Sequence, residues 1–195
     1  LVNPALLDYK KDGCEVYNSA KMTLEEVIAV MAPAAKAGKT VVRLHTGDPC
    51  VYGAHREQMD ELDRLGLAYE VCPGVSSFCG AALKAEYTLP NVSQSVILTR
   101  MEGRTPVPEK EQIESFAAHG ATMVIFLSAG QLARLSERLI AGGYAPDTPA
   151  AIVYKATWPD EKVVRTTVAD LAEAGAREGI TKTALITVGG FLGTE

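Results

Sequence analysis

The sequence lacks several features that would assign its class at once. No apolar run approaches the roughly 20 residues of a membrane-spanning helix. No CxxC pair occurs among its four cysteines, Cys14, Cys50, Cys72 and Cys79. A basic excess is also missing, because 19 lysines and arginines stand against 24 acidic residues, for a net charge of −5. These absences argue against a membrane protein, a zinc site and a nucleic-acid-binding surface, which favours basic residues.

Common catalytic and nucleotide-binding motifs are missing too. Neither of the phosphate-binding patterns GxxxxGK[ST] and GxGxxG occurs, and there is no HExxH or GxSxG. The three histidines, His45, His55 and His119, lack the spacing of metal ligands. We therefore predict no metal site and no nucleophilic triad.

The first residues resemble sequence from the middle of a protein. Residues 1–4 do not begin with methionine and lack the basic segment followed by an apolar one that marks a secretory signal. We therefore expect further residues upstream in the natural chain. We also expect a cytoplasmic protein with reduced thiols.

Strand-like runs alternate with amphipathic segments along the chain. Strands are predicted at residues 40–45, 68–72, 95–99, 123–127, 150–155 and 184–188. Helical spacing of apolar residues begins at Leu24, His55 and Leu132, and shorter helices are predicted at 78–85 and 168–177. Thr23 and Glu26 have the spacing of a capping box before the first of these helices. Such alternation is typical of an α/β fold with a largely parallel sheet.

The second half of the chain differs from the first. Residues 152–154 and 163–167 are joined by too few residues for a crossover helix, so they predict a β-hairpin. We therefore expect two α/β domains divided at a turn near Pro90. Domain 1–91 is predicted to have a mostly parallel sheet, and domain 92–195 a mixed one.

A polar loop follows the first predicted strand, in the sequence HTGDPCVYG at residues 45–53. Ligands of open α/β sheets bind at the carboxyl ends of strands. Gly47 permits close backbone approach, and Asp48 offers a carboxylate suited to a ribose diol or a cation. A tight turn in which Asp48 caps the next helix explains the same residues, and the pattern leaves both interpretations open.

Three further loops also follow predicted strands. In PGVSS, Ser76 and Ser77 either cap a helix or present hydroxyl groups to a ligand. Arg100 and Arg104 can bind carboxylates, although a solvated loop is an equal alternative. Ala156, in the KATWPDEK segment, leaves room for a ligand against the backbone or simply belongs to a packed hairpin.

These segments together resemble the tetrapyrrole methylase family. VRLHTGDP, followed by YG, is similar to the GDP loop of that family, and PGVSS is similar to its second loop. The runs ILTRMEGRTPVPE at 97–109 and VYKATWPDEK at 153–162 are similar to the branch that methylates precorrin-4 or cobalt-precorrin-4 at C11. The strand and GxGxGxP loop that open the family pattern are not in this sequence, so domain 1–91 is expected to lack its first strand.

The resemblance implies a two-domain methylase, usually a homodimer, with S-adenosyl-L-methionine bound between the domains and S-adenosyl-L-homocysteine as product. The substrate would be a corrin precursor that carries several carboxylates. The residues that match the cofactor site of the family are Thr46, Gly47, Asp48, Val51, Ser76, Ser77, Leu127 and Ala156. Arg100 and Arg104 become hypothetical anchors for substrate carboxylates. No catalytic base is identified, and Asp48 and His45 are candidates by position alone.

Two alternatives stay open from the sequence. Another tetrapyrrole methylase, such as a uroporphyrinogen-III methyltransferase, would share the first two loops. A non-catalytic module that binds S-adenosyl-L-methionine would share the fold. An RNA-modifying relative is disfavoured by the net charge of −5. Whether the substrate carries cobalt is not encoded in any of these motifs.

Overall fold

The computed structural model describes residues 2–83 and 85–193 and divides into two compact units. The first unit runs to Ser76 and the second begins at Ser77. The predicted division between residues 91 and 92 therefore falls inside the second unit. Tyr87 accounts for the difference, because its ring lies 5.0 Å from that of Phe191 and its carbonyl accepts a 2.9 Å hydrogen bond from Thr122 Oγ1.

The first unit is built on two helices, α1 (Leu24–Lys36) and α2 (Arg56–Arg64). The predicted capping box at the start of α1 is confirmed. The amide of Thr23 donates to the Glu26 carboxylate at 2.8 Å, and the amide of Glu26 donates to Thr23 Oγ1 at 3.3 Å. These bonds satisfy two amides that the helix start would leave unpaired. Ile28 of α1 is buried in one cluster with Leu62 of α2.

The two strands predicted in the first unit are wrong. Residues 40–45 and 68–72 belong to no strand in the described part of the chain. A strand needs a hydrogen-bonded neighbour, and apolar sequence alone does not supply one. Val42 is 75% exposed and Leu44 is 41% exposed, so the apolar run is not covered within this unit. The mostly parallel sheet expected for domain 1–91 is therefore not formed by the described residues.

The second unit contains one five-stranded mixed sheet with short helices. The strands are β1 (Val96–Arg100), β2 (Thr122–Phe126), β3 (Pro149–Tyr154), β4 (Lys162–Thr167) and β5 (Ala184–Val188). The helices are α3 (Ser77–Gly80), α4 (Ile113–Ala117), α5 (Leu132–Ala141) and α6 (Leu171–Arg177). The strand order is β1-β2-β5-β3-β4. β1 and β2 are parallel, whereas the pairs β2–β5, β5–β3 and β3–β4 are antiparallel.

The mixed sheet and the hairpin predicted for the second half are confirmed. β3 and β4 pair along their whole length, from Pro149–Thr167 to Tyr154–Lys162. The helix predicted at 78–85 is shorter than expected and ends at Gly80, and its residue Lys84 lies outside the described residues. The amide of Ala81 still donates to Ser77, but the chain then turns.

The sheet is covered on both faces, which explains the continuously apolar β3. Ala150 and Ile152 join the main core with residues of α4, α5 and α6. Ala151 instead packs with Phe191 and Leu192. Successive side chains of a strand point to opposite faces, so a strand buried on both sides reads as an unbroken apolar run. Within residues 2–83 and 85–193, no helix is both long and apolar enough to cross a bilayer.

Gly142, which ends α5, should not tolerate a side chain. A Cβ there would lie 2.5 Å from Ala117 Cβ and 2.6 Å from the Glu114 carbonyl oxygen of α4. Because α4 backbone would have to move, we expect Gly142→Ala to lower the free energy of unfolding by about 1–3 kcal/mol. Gly103→Ala is the matched control, since nothing lies within 4 Å of its Cβ position. Equal urea midpoints for both variants would contradict the packing argument.

Candidate functional site

Three strands of the second unit end at the same edge of the sheet. β1 and β2 are parallel, and β3 runs with them because it pairs antiparallel to β5, which itself pairs antiparallel to β2. The loops after β1, β2 and β3 therefore start from one edge. Arg100 is the last residue of β1, and the loops carry the other predicted site residues at this edge, Arg104, Leu127 and Ala156. Carboxyl ends of strands are the usual ligand sites of α/β sheets.

Leu127 follows β2 in a conformation that is costly for its residue type. Its φ is +54°, and 72% of the residue is exposed although it is apolar. The next residue, Ser128, is fully buried and joins the ends of β1 and β2. Its hydroxyl donates to the Phe126 carbonyl at 2.7 Å and accepts from the Met101 amide at 2.9 Å. The strain at Leu127 is held in place by these bonds, a pattern typical of functional sites.

The loop after β3 shows the same strain on both sides of Ala156. Lys155 has a φ of +47° and Thr157 a φ of +69°. The Lys155 ammonium group lies 5.0 Å from the centroid of the Trp158 ring and 2.5 Å from the Asp160 carboxylate. Asp160 raises the Lys155 pKa through this hydrogen bond. Ala156 therefore lies in a turn that its neighbours fix.

The loop after β1, hereafter the arginine loop (residues 101–112), is folded around Arg100. The Arg100 guanidinium donates to the carbonyl oxygens of Met101 at 3.1 Å, Thr105 at 3.3 Å and Pro106 at 3.0 Å. Arg104 is exposed and has no hydrogen bond or ion pair with any residue that the structure describes. The two arginines that the sequence placed together thus have different surroundings.

In the first unit, Asp48 links the two glycine-containing loops. Its carboxylate accepts from the Cys50 amide at 2.7 Å and from the Gly74 amide at 2.9 Å. These backbone bonds lower the Asp48 pKa, with the Gly74 bond as the largest cause. A Cβ on Gly74 would lie 2.2 Å from the Gly47 carbonyl oxygen, so only glycine permits the two loops to come this close.

His45 lies beside this loop and makes an edge contact with His55, the ring centroids being 5.9 Å apart. Burial lowers the His45 pKa, and the charges of Arg43 and His55 lower it further, while a backbone hydrogen bond with Gly53 opposes them. His45 is therefore neutral at pH 7. Asp48 is ionised, and both its oxygens already accept amide hydrogens.

The structure groups the predicted cofactor residues in two sets. In the first unit, the loop of Thr46, Gly47, Asp48 and Val51 is joined through Gly74 to the loop that holds the buried Ser76. In the second unit, Leu127 and Ala156 lie at the carboxyl edge of the sheet, and Ser77 begins α3. No group of three or more potential metal ligands occurs in the part of the chain that the structure describes.

Sequence reasoning missed Ser128 and Arg138. Arg138 of α5 contacts Glu102 and Glu114, which lie more than 20 positions away in the sequence. No local motif signals such a contact. For Ser128 the one available signal was its position directly after the predicted strand 123–127.

Asp48→Asn should loosen the link between the two loops, because an amide nitrogen cannot accept the second N–H bond. We expect faster amide hydrogen exchange at Cys50 or Gly74, measured by NMR. Exchange at Glu26, whose amide bonds to Thr23 in α1, serves as the control and should not change. Unchanged exchange at both Cys50 and Gly74 would show that Asp48 does not hold the loops.

His45 should titrate at a lower pH in the native chain than in urea. A depressed pKa means that folding favours the neutral ring, so the His45 contribution to stability is complete above the unfolded pKa of about 6.5. That contribution is lost as the pH falls through the native value. NMR titration of the ring, assigned by the signal lost in His45→Gln, measures both pKa values. A native value equal to or above the urea value would refute the prediction.

Comparison with known proteins places these features in one family. The model for tetrapyrrole (corrin/porphyrin) methylases matches residues 2–172. A cobalt-precorrin-4 C(11)-methyltransferase of Methanocaldococcus jannaschii is 56% identical over 98% of this chain and 75% of the relative. A precorrin-4 C(11)-methyltransferase of Pseudomonas aeruginosa is 42% identical over the whole of this chain and 78% of the relative.

Solved structures agree with the sequence matches. The crystal structure of a cobalt precorrin-4 methyltransferase of cobalamin biosynthesis has a TM-score of 0.94 and 48% identity, over 98% of this chain and 81% of the other. A uroporphyrin-III C-methyltransferase of Thermus thermophilus, in complex with S-adenosylhomocysteine, has a TM-score of 0.74 and 26% identity, over 88% of this chain and 75% of the other. The chain belongs to the tetrapyrrole (corrin/porphyrin) methylase family.

Proposed function

We propose that the chain is an S-adenosyl-L-methionine-dependent C-methyltransferase that acts at C11 of cobalt-precorrin-4 or precorrin-4 in cobalamin biosynthesis. The likeness to the cobalt precorrin-4 methyltransferase along nearly the whole chain, in both sequence and structure, carries this proposal. The uroporphyrin-III enzyme is much less similar, which disfavours the uroporphyrinogen alternative. The cobalt-containing substrate is favoured, because the relative named for it is more similar than the one named for precorrin-4.

The described residues fit an adenosyl cofactor. Asp48 is an ionised carboxylate suited to a ribose diol or an amino group, and Gly74 lets the backbone of the second loop lie directly against Gly47. Leu127 offers an exposed apolar surface in a fixed conformation. We therefore propose that these residues help to hold the cofactor, together with Thr46, Val51, Ser76, Ser77 and Ala156. When bound, S-adenosyl-L-methionine supplies a methyl group already activated as a sulfonium.

Positioning is the main task left to the protein, because displacement at a sulfonium methyl group requires alignment with the attacking carbon. The fixed turns at Leu127 and Ala156 are suited to that task. A proton that leaves the methylated carbon needs an acceptor. His45 is the better candidate than Asp48, because His45 is neutral at pH 7 whereas Asp48 has a lowered pKa and two occupied oxygens.

The substrate carboxylates are proposed to bind Arg104 first. Its guanidinium is exposed in the arginine loop, and a planar fork of N–H donors matches a carboxylate. Arg100 remains in the proposed set as a second contact. A guanidinium has five N–H donors, and Arg100 makes three bonds to backbone carbonyls, so it keeps donors that can bind a carboxylate.

We also propose that the enzyme is a cytoplasmic homodimer, as the family resemblance implies. Sedimentation equilibrium of the natural full-length protein tests the dimer.

We retain the division near residue 91 as the proposed boundary of the family domains, and limited proteolysis tests it against a division near residue 76.

The test of function is single-turnover methylation with isotope-labelled S-adenosyl-L-methionine. Cobalt-precorrin-4, precorrin-4 and uroporphyrinogen III are offered separately, and the product is located by NMR. We expect label at C11 of cobalt-precorrin-4. Label only on uroporphyrinogen III would establish the alternative methylase, and binding of S-adenosylhomocysteine without turnover of any substrate would establish a non-catalytic module.

Leu127→Asn links that activity to the proposed cofactor site. Asparagine tolerates a φ of +54° better than leucine, so the fold should keep its stability while the apolar contact is lost. We expect the Kd for S-adenosylhomocysteine, measured by calorimetry, to rise about tenfold, which corresponds to ~1.4 kcal/mol. The matched control is Thr183→Asn, whose φ is +59° and which should bind like the wild type. Equal affinities for both variants would remove Leu127 from the site.

A further inference from the structure

The arginine loop is fastened to helix α5 at both of its ends. At its start, the Glu102 carboxylate forms ion pairs with Arg134 and with Arg138 of α5, and the Glu102 carbonyl accepts at 3.1 Å from Nε2 of Gln131, the residue before α5. At its end, Gln112 accepts from Arg138. The segment between these points is thus tied to a helix that belongs to the core.

Arg138 is the common point of these contacts. Its Nε donates to Glu114 at 2.6 Å, its Nη1 lies 3.0 Å from Glu102 as an ion pair outside hydrogen-bonding geometry, and its Nη2 donates to Gln112. The Arg138 side chain is only 15% exposed, against 51% for Arg134. A single guanidinium therefore contacts both ends of the loop, through Nη1 at Glu102 and Nη2 at Gln112, while its Nε binds Glu114 of α4.

Arg138 lowers the pKa of both carboxylates that it contacts, those of Glu102 and Glu114. The contact with Arg138 is the largest cause that lowers the pKa of Glu102, and the hydrogen bond from Arg138 is the largest cause that lowers the pKa of Glu114. Glu114 Oε2 is buried and has no hydrogen-bond partner among the described residues. Removal of Arg138 would leave Glu114, which lies two residues after the end of the loop, as a partly buried carboxylate without its counterion. This end of the loop would then have to move so that Glu114 reaches water or another cation.

Arg104 lies between the two fastened ends and differs from its neighbours. Arg100 donates to three carbonyls, and Arg134 and Arg138 pair with carboxylates. Arg104 has no such partner in the described part of the chain. Within the arginine loop, its guanidinium is the one left to meet a ligand, and its position depends on the path of the backbone around it.

We propose that Arg138 is a positioning residue that fixes the arginine loop and so places Arg104 for a substrate carboxylate. This proposal rests on the proposed function and adds a determinant of substrate affinity. Arg138 does not touch the substrate, and its effect passes through Arg104. The cofactor residues Leu127 and Ala156 lie outside the loop, so cofactor affinity should not depend on Arg138.

The test is a double-mutant cycle between Arg104→Ala and Arg138→Met. For each variant, KM and kcat are measured with cobalt-precorrin-4 as substrate, and the Kd for S-adenosylhomocysteine is measured separately. Loss of a charge-assisted hydrogen bond should raise KM for Arg104→Ala by about tenfold. Arg138→Met should raise KM by a similar or smaller factor. In the Arg104→Ala background, Arg138→Met should add nothing, because the group it positions is gone.

Two further variants separate positioning from a general loss of structure. Arg134→Met is the matched control on the same helix, since Arg134 pairs with Glu102 but not with Glu114, and its KM should stay within about twofold of wild type. Arg138→Lys keeps the positive charge but loses the planar fork of N–H donors, so its KM should lie between those of Arg138→Met and the wild type. If Arg138→Met does not fold, Glu102→Gln replaces it in the cycle with the same expectation.

The possible results decide between the two proposals. Three results would each overturn the positioning role: KM effects that multiply in the double variant, an unchanged KM for Arg138→Met, or a weaker affinity of Arg138→Met for S-adenosylhomocysteine. The proposed function would still stand in each case, provided that the wild-type enzyme turns over its substrate. A wild-type enzyme that methylates no corrin precursor would overturn the proposed function itself, and the positioning role with it.

Discussion

The direction of three strands in one sheet is the constraint on which the candidate site of the second unit depends. β5 lies between β2 and β3 and runs against both, so β1, β2 and β3 all end at one edge. Backbone ladders fix this arrangement before any side chain of the site is placed. The arginine loop, Leu127 and Ala156 are brought to one edge by that geometry, although they are far apart in sequence.

Backbone strain accumulates where these strands end. Leu127, Lys155 and Thr157 have positive φ values, and so do Tyr52 and Ala54 in the Asp48 loop of the first unit. Such conformations cost free energy in residues other than glycine, and they persist only where neighbouring bonds enforce them. The bonds are present, through the Ser128 hydroxyl in one loop and the Lys155–Asp160 pair in another. Fixed turns of this kind suit a reaction in which alignment is the main catalytic contribution.

The elements that the sequence predicted well are those with local determinants. The capping box of Thr23 and Glu26 involves residues three apart, and the β3–β4 hairpin follows from a connection too short for a helix. The strands predicted at 40–45 and 68–72 failed because pairing is a long-range property that an apolar run does not encode. The candidate site divides in the same way. Its loops were located by motif, whereas the contacts of Arg138 with Glu102 and Glu114 depend on how α5 packs beside the arginine loop.

An acidic protein with a polycarboxylate substrate presents an apparent conflict, which the local arrangement of charge resolves. The net charge of −5 is spread over the chain, and salt screens exposed charges beyond about 8–10 Å. What a carboxylate meets is therefore the nearest unpaired guanidinium. Arg138 is paired with Glu102 and Glu114, and Arg100 uses three of its donors on backbone carbonyls, so Arg104 is the guanidinium most open to an incoming anion and Arg100 is a second contact. Because Glu102, the acid nearest to Arg104 in the sequence, is paired with Arg134 and Arg138 of α5, it does not cancel the attraction of a carboxylate to Arg104.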